Sequence, residues 1–178
     1  MNWTIAKLQT FGCEVERNNI DRKKAATIAA GYFVTGNGCF RGEPFHGHAT
    51  WVARDTRGRE WKFMYDGSIE GPEPEKCEMV TPVLTYDDDI ELLQGLIRKL
   101  RDAGAVSTPQ QDCGVHIHIG ADGHDGGTLR NLVNLIASHE LLLYKAIGVD
   151  PKRVRWCQTV NRRFLEEMNN KRPVSQEG

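Results

Sequence analysis

The sequence has almost no net charge: 23 Lys and Arg against 24 Asp and Glu leave −1 over 178 residues. That balance excludes bulk attraction to nucleic acid and an acidic interaction tail. No apolar run approaches the length needed to span a bilayer. The opening residues, MNWTIAKLQTFGCEVE, lack a charged start followed by an apolar stretch, so neither a membrane partner nor a secretory leader is expected. The five cysteines, Cys13, Cys39, Cys77, Cys113 and Cys157, are odd in number and include no C-x-x-C pair. A zinc ribbon and a thioredoxin-like centre are therefore excluded, and a reducing, cytoplasmic compartment with each thiol as a small core residue is expected. There is no Walker A or G-x-G-x-x-G, no second histidine to make a zincin of His139-Glu140, no internal repeat and no linker. With 39% hydrophobic and 26% charged residues, the composition is that of one globular domain over 1–178.

What is present is a series of short alternating segments between two strong helices. Residues 8–16 alternate as a strand, with Phe11, Cys13 and Val15 on one face and Gly12, Glu14 and Glu16 on the other. Ala25, Ile28, Ala29, Tyr32 and Phe33 have helical spacing behind an Asn19 or Asp21 cap, and GNG at 36–38 ends that pattern. Residues 48–54 and 60–65 read as a hairpin around DTRG, and KCEMVTP as a short strand stopped by Pro82. A helix is expected over 87–103, capped by DDD, with Ile90, Leu93, Leu96, Ile97 and Leu100 as its stripe. CGVHIHI at 113–119 alternates again; a second strong helix runs from about Thr128 to Ile147, and RRFLEEMNN makes a short polar one before the polar tail. The order β-α-β-β-β-α-β-α-α, with alternating strands, predicts an α+β fold. Its mainly antiparallel sheet has one open face, and helices cover the other.

Three of these strands carry chemistry on the face away from their apolar residues. Glu14 and Glu16, two apart on a strand, place their Cα atoms roughly 6.5 Å apart. Carboxylates that close repel unless a cation or water separates them, and a hard cation such as Mg²⁺ accepts both. Alone, the pair is more often a solvated face. His116 and His118 share one face opposite Val115, Ile117 and Ile119, a geometry suited to metal or phosphate. Glu78 interrupts the apolar run Cys77-Glu78-Met79-Val80, where a carboxylate is either outward-facing or held by a cation. Asp66-Gly67-Ser68 is a turn after an apolar strand. If the three strands are neighbours, the polar faces form one acidic, histidine-bearing patch. His46 and His48 in a Gly/Pro-containing loop read as solvated or at a substrate edge, and His124 as surface. The basic residues Lys152, Arg153, Arg155, Arg162 and Arg163 are either a solvated face or a phosphate contact, with Arg155 the candidate for nucleotide.

In that order, FGCEVE, DGSIEGPEPEKCEMVTP and CGVHIHIG resemble the amidoligase family. That family is a branch of the carboxylate–amine ligases related to glutamine synthetase and glutamate–cysteine ligase. The motifs span 11–120. The resemblance implies a glutamine-synthetase-like fold and an ATP- and Mg²⁺- (or Mn²⁺-) dependent ligase that forms an amide through an acyl phosphate. By position it implies Glu14, Glu16, Glu78 and His116 as metal ligands, and His116 and His118 at nucleotide phosphate. Glu78 and His118 would be catalytic, and Asp66 and Ser68 would lie at substrate. The implied partners are a small amino acid, peptide or protein side chain, together with a second copy of the chain as a homo-oligomer. Members of the family continue to a late E-F-R-like strand; no such segment is found here, which points to a C-terminally shortened form. Two other readings stand beside this one. One is a zinc hydrolase built on His116 and His118; the other is a catalytically incomplete nucleotide- and metal-binding module.

Overall fold

The computed structural model describes residues 9–35 and 38–173. Leu8 at the head of the first expected strand, Gly36 and Asn37 of the GNG break, and the tail from Val174 lie outside the described residues. The chain forms two compact units, Met1–Gly120 and Ala121–Gly178.

The first unit is α+β. Its strands are β1 (Thr10–Arg17), β2 (Cys39–Arg41), β3 (Trp51–Arg54), β4 (Glu60–Met64), β5 (Cys77–Val80), β6 (Leu84–Thr85) and β7 (Val115–Ile119). Its helices are α1 (Arg22–Phe33) and α2 (Tyr86–Asp102). All seven strands join one antiparallel sheet, in the order β2-β3-β4-β5-β1, with β6 and β7 also on β1. Phe11 pairs with both Leu84 and Ile119, and Val15 with both Met79 and Val115. β5 and β6 therefore share one edge of β1, and β7 takes the other. The expected stop at Pro82 is a local interruption: Thr81 N–H donates to the Cys13 carbonyl and Thr81 Oγ1 accepts from Cys13 N–H, after which β6 resumes beside β1.

Period-two alternation sorts β1, β3, β4 and β5 into a core face and an open face. Cys13, Trp61, Phe63, Cys77 and Met79 pack with the small residues Ala25, Ala26, Ala29 and Ala30 of α1 and with Leu93, Leu96 and Leu100 of α2. The alanine face lets α1 approach the sheet closely. Each large buried side chain contributes about 1.5–3 kcal/mol. Asp21 is the α1 cap, its carboxylate accepting from Lys24 N–H at 2.8 Å. The covering of the core face stops short of β7, whose Val115, Ile117 and Ile119 are exposed.

The expected DDD cap of α2 is corrected. The N-cap is Thr85, without a side-chain cap bond. Asp89 reaches back to accept from Thr85 N–H and is 1% exposed. It receives Arg59 through two bonds, Nη1 to Oδ2 at 3.0 Å and Nη2 to Oδ1 at 2.7 Å. Arg59 Nε also donates to Asp55 Oδ2 at 2.9 Å, and Asp55 accepts from Trp61 Nε1 at 3.0 Å. This lock ties the β3–β4 hairpin to the start of α2.

The second unit holds α3 (Gly126–Ile147) and α4 (Arg162–Lys171). Asp125 caps α3 by accepting from Thr128 N–H, and Gly148 ends it in the left-handed region at φ 68°. Asn134 and Asn169 exchange amide hydrogen bonds at 2.9 Å between the two helices. Glu140, next to His139 in sequence, accepts from Val160 N–H. Arg153 is buried, so the basic run is not wholly a solvated face. Among the described residues no helix is long and apolar enough to cross a membrane.

Candidate active site

Register, which the sequence cannot state, sets the site. Glu16 lies directly across from Glu78, and Glu14 directly across from His116. β1 thus stands between the two strands that carry its expected partners. Their polar side chains fall on the open face because Cys13, Val15, Cys77 and Met79 occupy the other.

Two groupings result. Glu14 sits between the histidines: its Oε2 is 3.1 Å from His116 Nδ1 and its Oε1 is 3.3 Å from His118 Nε2. The other ring nitrogen of His116 lies 3.7 Å from Glu16 Oε1. The second grouping is Glu16, Asp66 and Glu78, which place one ligand oxygen each within 4.8 Å of one another. Glu16 is buried and its Oε2 accepts from Gly114 N–H at 2.6 Å, which fixes the carboxylate at the foot of β7. Asp66 follows β4; its Oδ1 accepts from Ser68 N–H at 2.8 Å, so the Asp-Gly-Ser turn turns the carboxylate toward β5. Burial, and then the nearby carboxylates of Glu14, Asp66 and Glu16, push Glu78 up to about 7. Three convergent carboxylates with hard oxygen donors fit a divalent cation such as Mg²⁺ or Mn²⁺. That triad of described residues contains no histidine, so a hard cation fits it better than zinc.

Clefts flank the patch on both sides. One, of about 230 Å³, lies over Gly12 and is bounded by Glu14, His118, Thr81 and Pro82. The other, of about 440 Å³, is bounded by Arg41, Glu43, Phe45, Lys62 and Met64. Ser68 is exposed beside the turn.

Sequence reasoning missed the frame that positions Asp66 and β5. Arg22, buried at the start of α1, donates to the carbonyls of Ala49, Glu73 and Lys76 and to Glu73 Oε1. His48 Nδ1 lies 2.8 Å from the same Glu73 oxygen, and its ring stacks on Tyr65, the neighbour of Asp66, at 3.8 Å. The Arg22 hydrogen bond, helped by His48, holds the Glu73 carboxyl below its ordinary range. His48 is thus a fixed wall of the loop before β3. Arg155 belongs to the second unit, where its guanidinium lies 5.3 Å from the Trp156 ring.

These strands carry the three motifs FGCEVE, DGSIEGPEPEKCEMVTP and CGVHIHIG on one sheet. Over residues 7–177 the chain matches the family model described as "Putative amidoligase enzyme". The chain belongs to the amidoligase family. The name denotes enzymes that form amide bonds, and the match runs through both units. No curated protein and no solved structure matches the chain.

Proposed function

We propose that this amidoligase joins a carboxylate to an amine at the expense of ATP, on the open face of a glutamine-synthetase-like sheet. The observation that carries this reading is the convergence of Glu16, Asp66 and Glu78 within 4.8 Å, beside the Glu14–His116–His118 group. In the reaction, a substrate carboxylate oxygen attacks the γ-phosphorus of ATP and ADP leaves. The amine then attacks the acyl carbon of the resulting acyl phosphate, inorganic phosphate leaves, and the amine gives up a proton.

Both steps gather negative charge on phosphoryl oxygens. A bound Mg²⁺ or Mn²⁺ would supply charge neutralisation there. Glu16, Glu78 and Glu14 would hold it, with Asp66 as a further oxygen donor and His116 at its edge. The sequence resemblance placed Asp66 at substrate; its position in the triad favours the cation instead. His116 and His118 would meet phosphate oxygens, oriented by Glu14. Glu78, half-buried on the open face, would take the amine proton where the cation is held by the neighbouring carboxylates. The cleft lined by Arg41, Glu43, Glu60 and Lys62 offers partners to both a carboxylate and an ammonium group and suits a small amino acid, peptide or protein side chain, with Ser68 at its approach. The chain would work in the cytoplasm as a homo-oligomer.

Thermal unfolding with Mg²⁺ and ATP or ADP together, each alone, and with EDTA tests the reading. Ligand at about a hundred times its Kd adds roughly 2.7 kcal/mol, a shift of several degrees. Stabilisation that needs both metal and nucleotide is expected. Stabilisation by Zn²⁺ alone, with no nucleotide effect, would support the hydrolase instead.

A further inference from the structure

On the core face of β1 the residues Phe11, Cys13 and Val15 are apolar, and the next in the alternation is Arg17. It is 2% exposed. Among the described residues its guanidinium donates one long hydrogen bond, Nη2 to the Val15 carbonyl at 3.4 Å, and its buried Nε has no acceptor. Arginine stays protonated in proteins, so the charge cannot be shed. The nearby sulfurs of Cys77 and Cys113 act in favour of the guanidinium charge, but less than burial acts against it. Cys77 is fully buried and held as a thiol, and Cys113 donates its S–H to the Gln111 carbonyl. A buried cation without a counter-charge is costly in a folded protein.

Arg17 lines a cavity of about 330 Å³ whose walls are mainly apolar: Val15, Ile97, Leu100 and Val106, with Arg101 and Thr108 also at its edge. That volume is at the small end for ligand sites, and the combination of apolar walls with a few polar groups, here Arg17 with Arg101, Ser107 and Thr108 at the edge, is their usual chemistry. The cavity is on the helical side of the sheet. Glu16, the residue before Arg17, projects to the opposite face, so the cavity is separate from the carboxylate–histidine patch.

We propose that this cavity binds a compact amphipathic anion, a medium-chain aliphatic monocarboxylate. Its carboxylate pairs with Arg17, and its chain lies against Val15, Ile97, Leu100 and Val106. Inorganic phosphate and acetate satisfy the charge but leave the walls uncovered, whereas a neutral alcohol of the same length covers the walls but leaves the charge unpaired. Both halves are needed.

Isothermal titration of the full chain with octanoate, acetate, inorganic phosphate and 1-octanol tests this. Octanoate is expected to bind at least about tenfold tighter than the other three, a difference of roughly 1.4 kcal/mol. Arg17→Met is expected to erase that preference while leaving the joint Mg²⁺–ATP stabilisation intact. Ile97→Trp, which fills the cavity without touching Arg17, is expected to block octanoate and decides the matter if Arg17→Met does not fold. Equal binding of octanoate and 1-octanol, no octanoate binding, or full octanoate affinity in Ile97→Trp would overturn the proposal.

Discussion

Among the described residues, two clusters of buried or half-buried carboxylates are treated in opposite ways. In the lock at the β3–β4 hairpin, Asp55 and Asp89 share the guanidinium of Arg59. The Arg59 hydrogen bond outweighs burial at Asp89 and lowers its pKa. At Asp55 burial pushes upward, but hydrogen bonds from Trp61 and Arg59 prevail and the net shift is down. On the open face, burial and three neighbouring carboxylates act together and raise Glu78 to about 7. Acids closed by an arginine fasten a structure; acids gathered against one another strain it in the ligand-free state and attract a cation. The same residue type therefore serves stability in the lock and, under the proposed function, binding on the open face.

The comparison breaks most visibly at the lock. Asp89→Ala removes a buried carboxylate from the half-buried Arg59, which keeps Asp55, and is expected to cost about 1.5–3 kcal/mol, measured by urea unfolding. A loss below about 1 kcal/mol would place Asp89 with ordinary surface charges. On the open face, charge removal is expected to do the reverse. Glu14→Gln with Glu16→Gln should leave the apo protein as stable or slightly more so. Nucleotide affinity in Mg²⁺ should fall about a hundredfold, roughly 2.8 kcal/mol, read by titration calorimetry.

The pH dependence sharpens the contrast, because the two clusters carry opposite signs. Asp55 and Asp89 titrate in the folded state below their ordinary 3.8. Their contribution is present above that value and is lost as pH falls through the lower folded values. Glu78 titrates above its ordinary 4.5. The folded state holds its proton more tightly than the unfolded chain, so its contribution is complete below 4.5 and is lost as pH rises to about 7. In EDTA, the urea midpoint of the wild type is expected to fall between these values relative to Glu78→Gln; parallel profiles would contradict the assignment. The smallest effect belongs to the exposed Arg54–Glu60 pair on the same hairpin, at 48% and 39% side-chain exposure. Glu60→Gln should cost less than about 1 kcal/mol, against the larger loss at Asp89.

Much of the open face was legible in the sequence because a strand's alternation reveals which residues share a face. Glu14 with Glu16, and His116 with His118, needed only period two. That Glu16 meets Glu78, and Glu14 meets His116, depended on strand pairing, which no local pattern states. Asp66 was seen as a turn residue, but its place in the carboxylate triad follows from where β4 ends. The lock went unread because Asp87-Asp88-Asp89 has the composition of a helix start. The available signal was spacing: Asp89 lies four residues before Leu93 on the buried stripe of α2. Arg22 was hidden in the same way, as one basic residue in a helix start, although its bonds join α1 to the segments before β3 and β5. The short strands β2 and β6 have too few residues for alternation to show, and β6 exists only by pairing with β1.

The most direct test of the central claim is Mn²⁺ binding to the full chain, followed by electron paramagnetic resonance with and without ATP, in wild type and Glu78→Gln. Tight Mn²⁺ in the wild type, strengthened by ATP and weakened at least about tenfold in the variant, is the predicted result. Mn²⁺ binding of equal strength in both proteins would place the cation elsewhere and contradict the account.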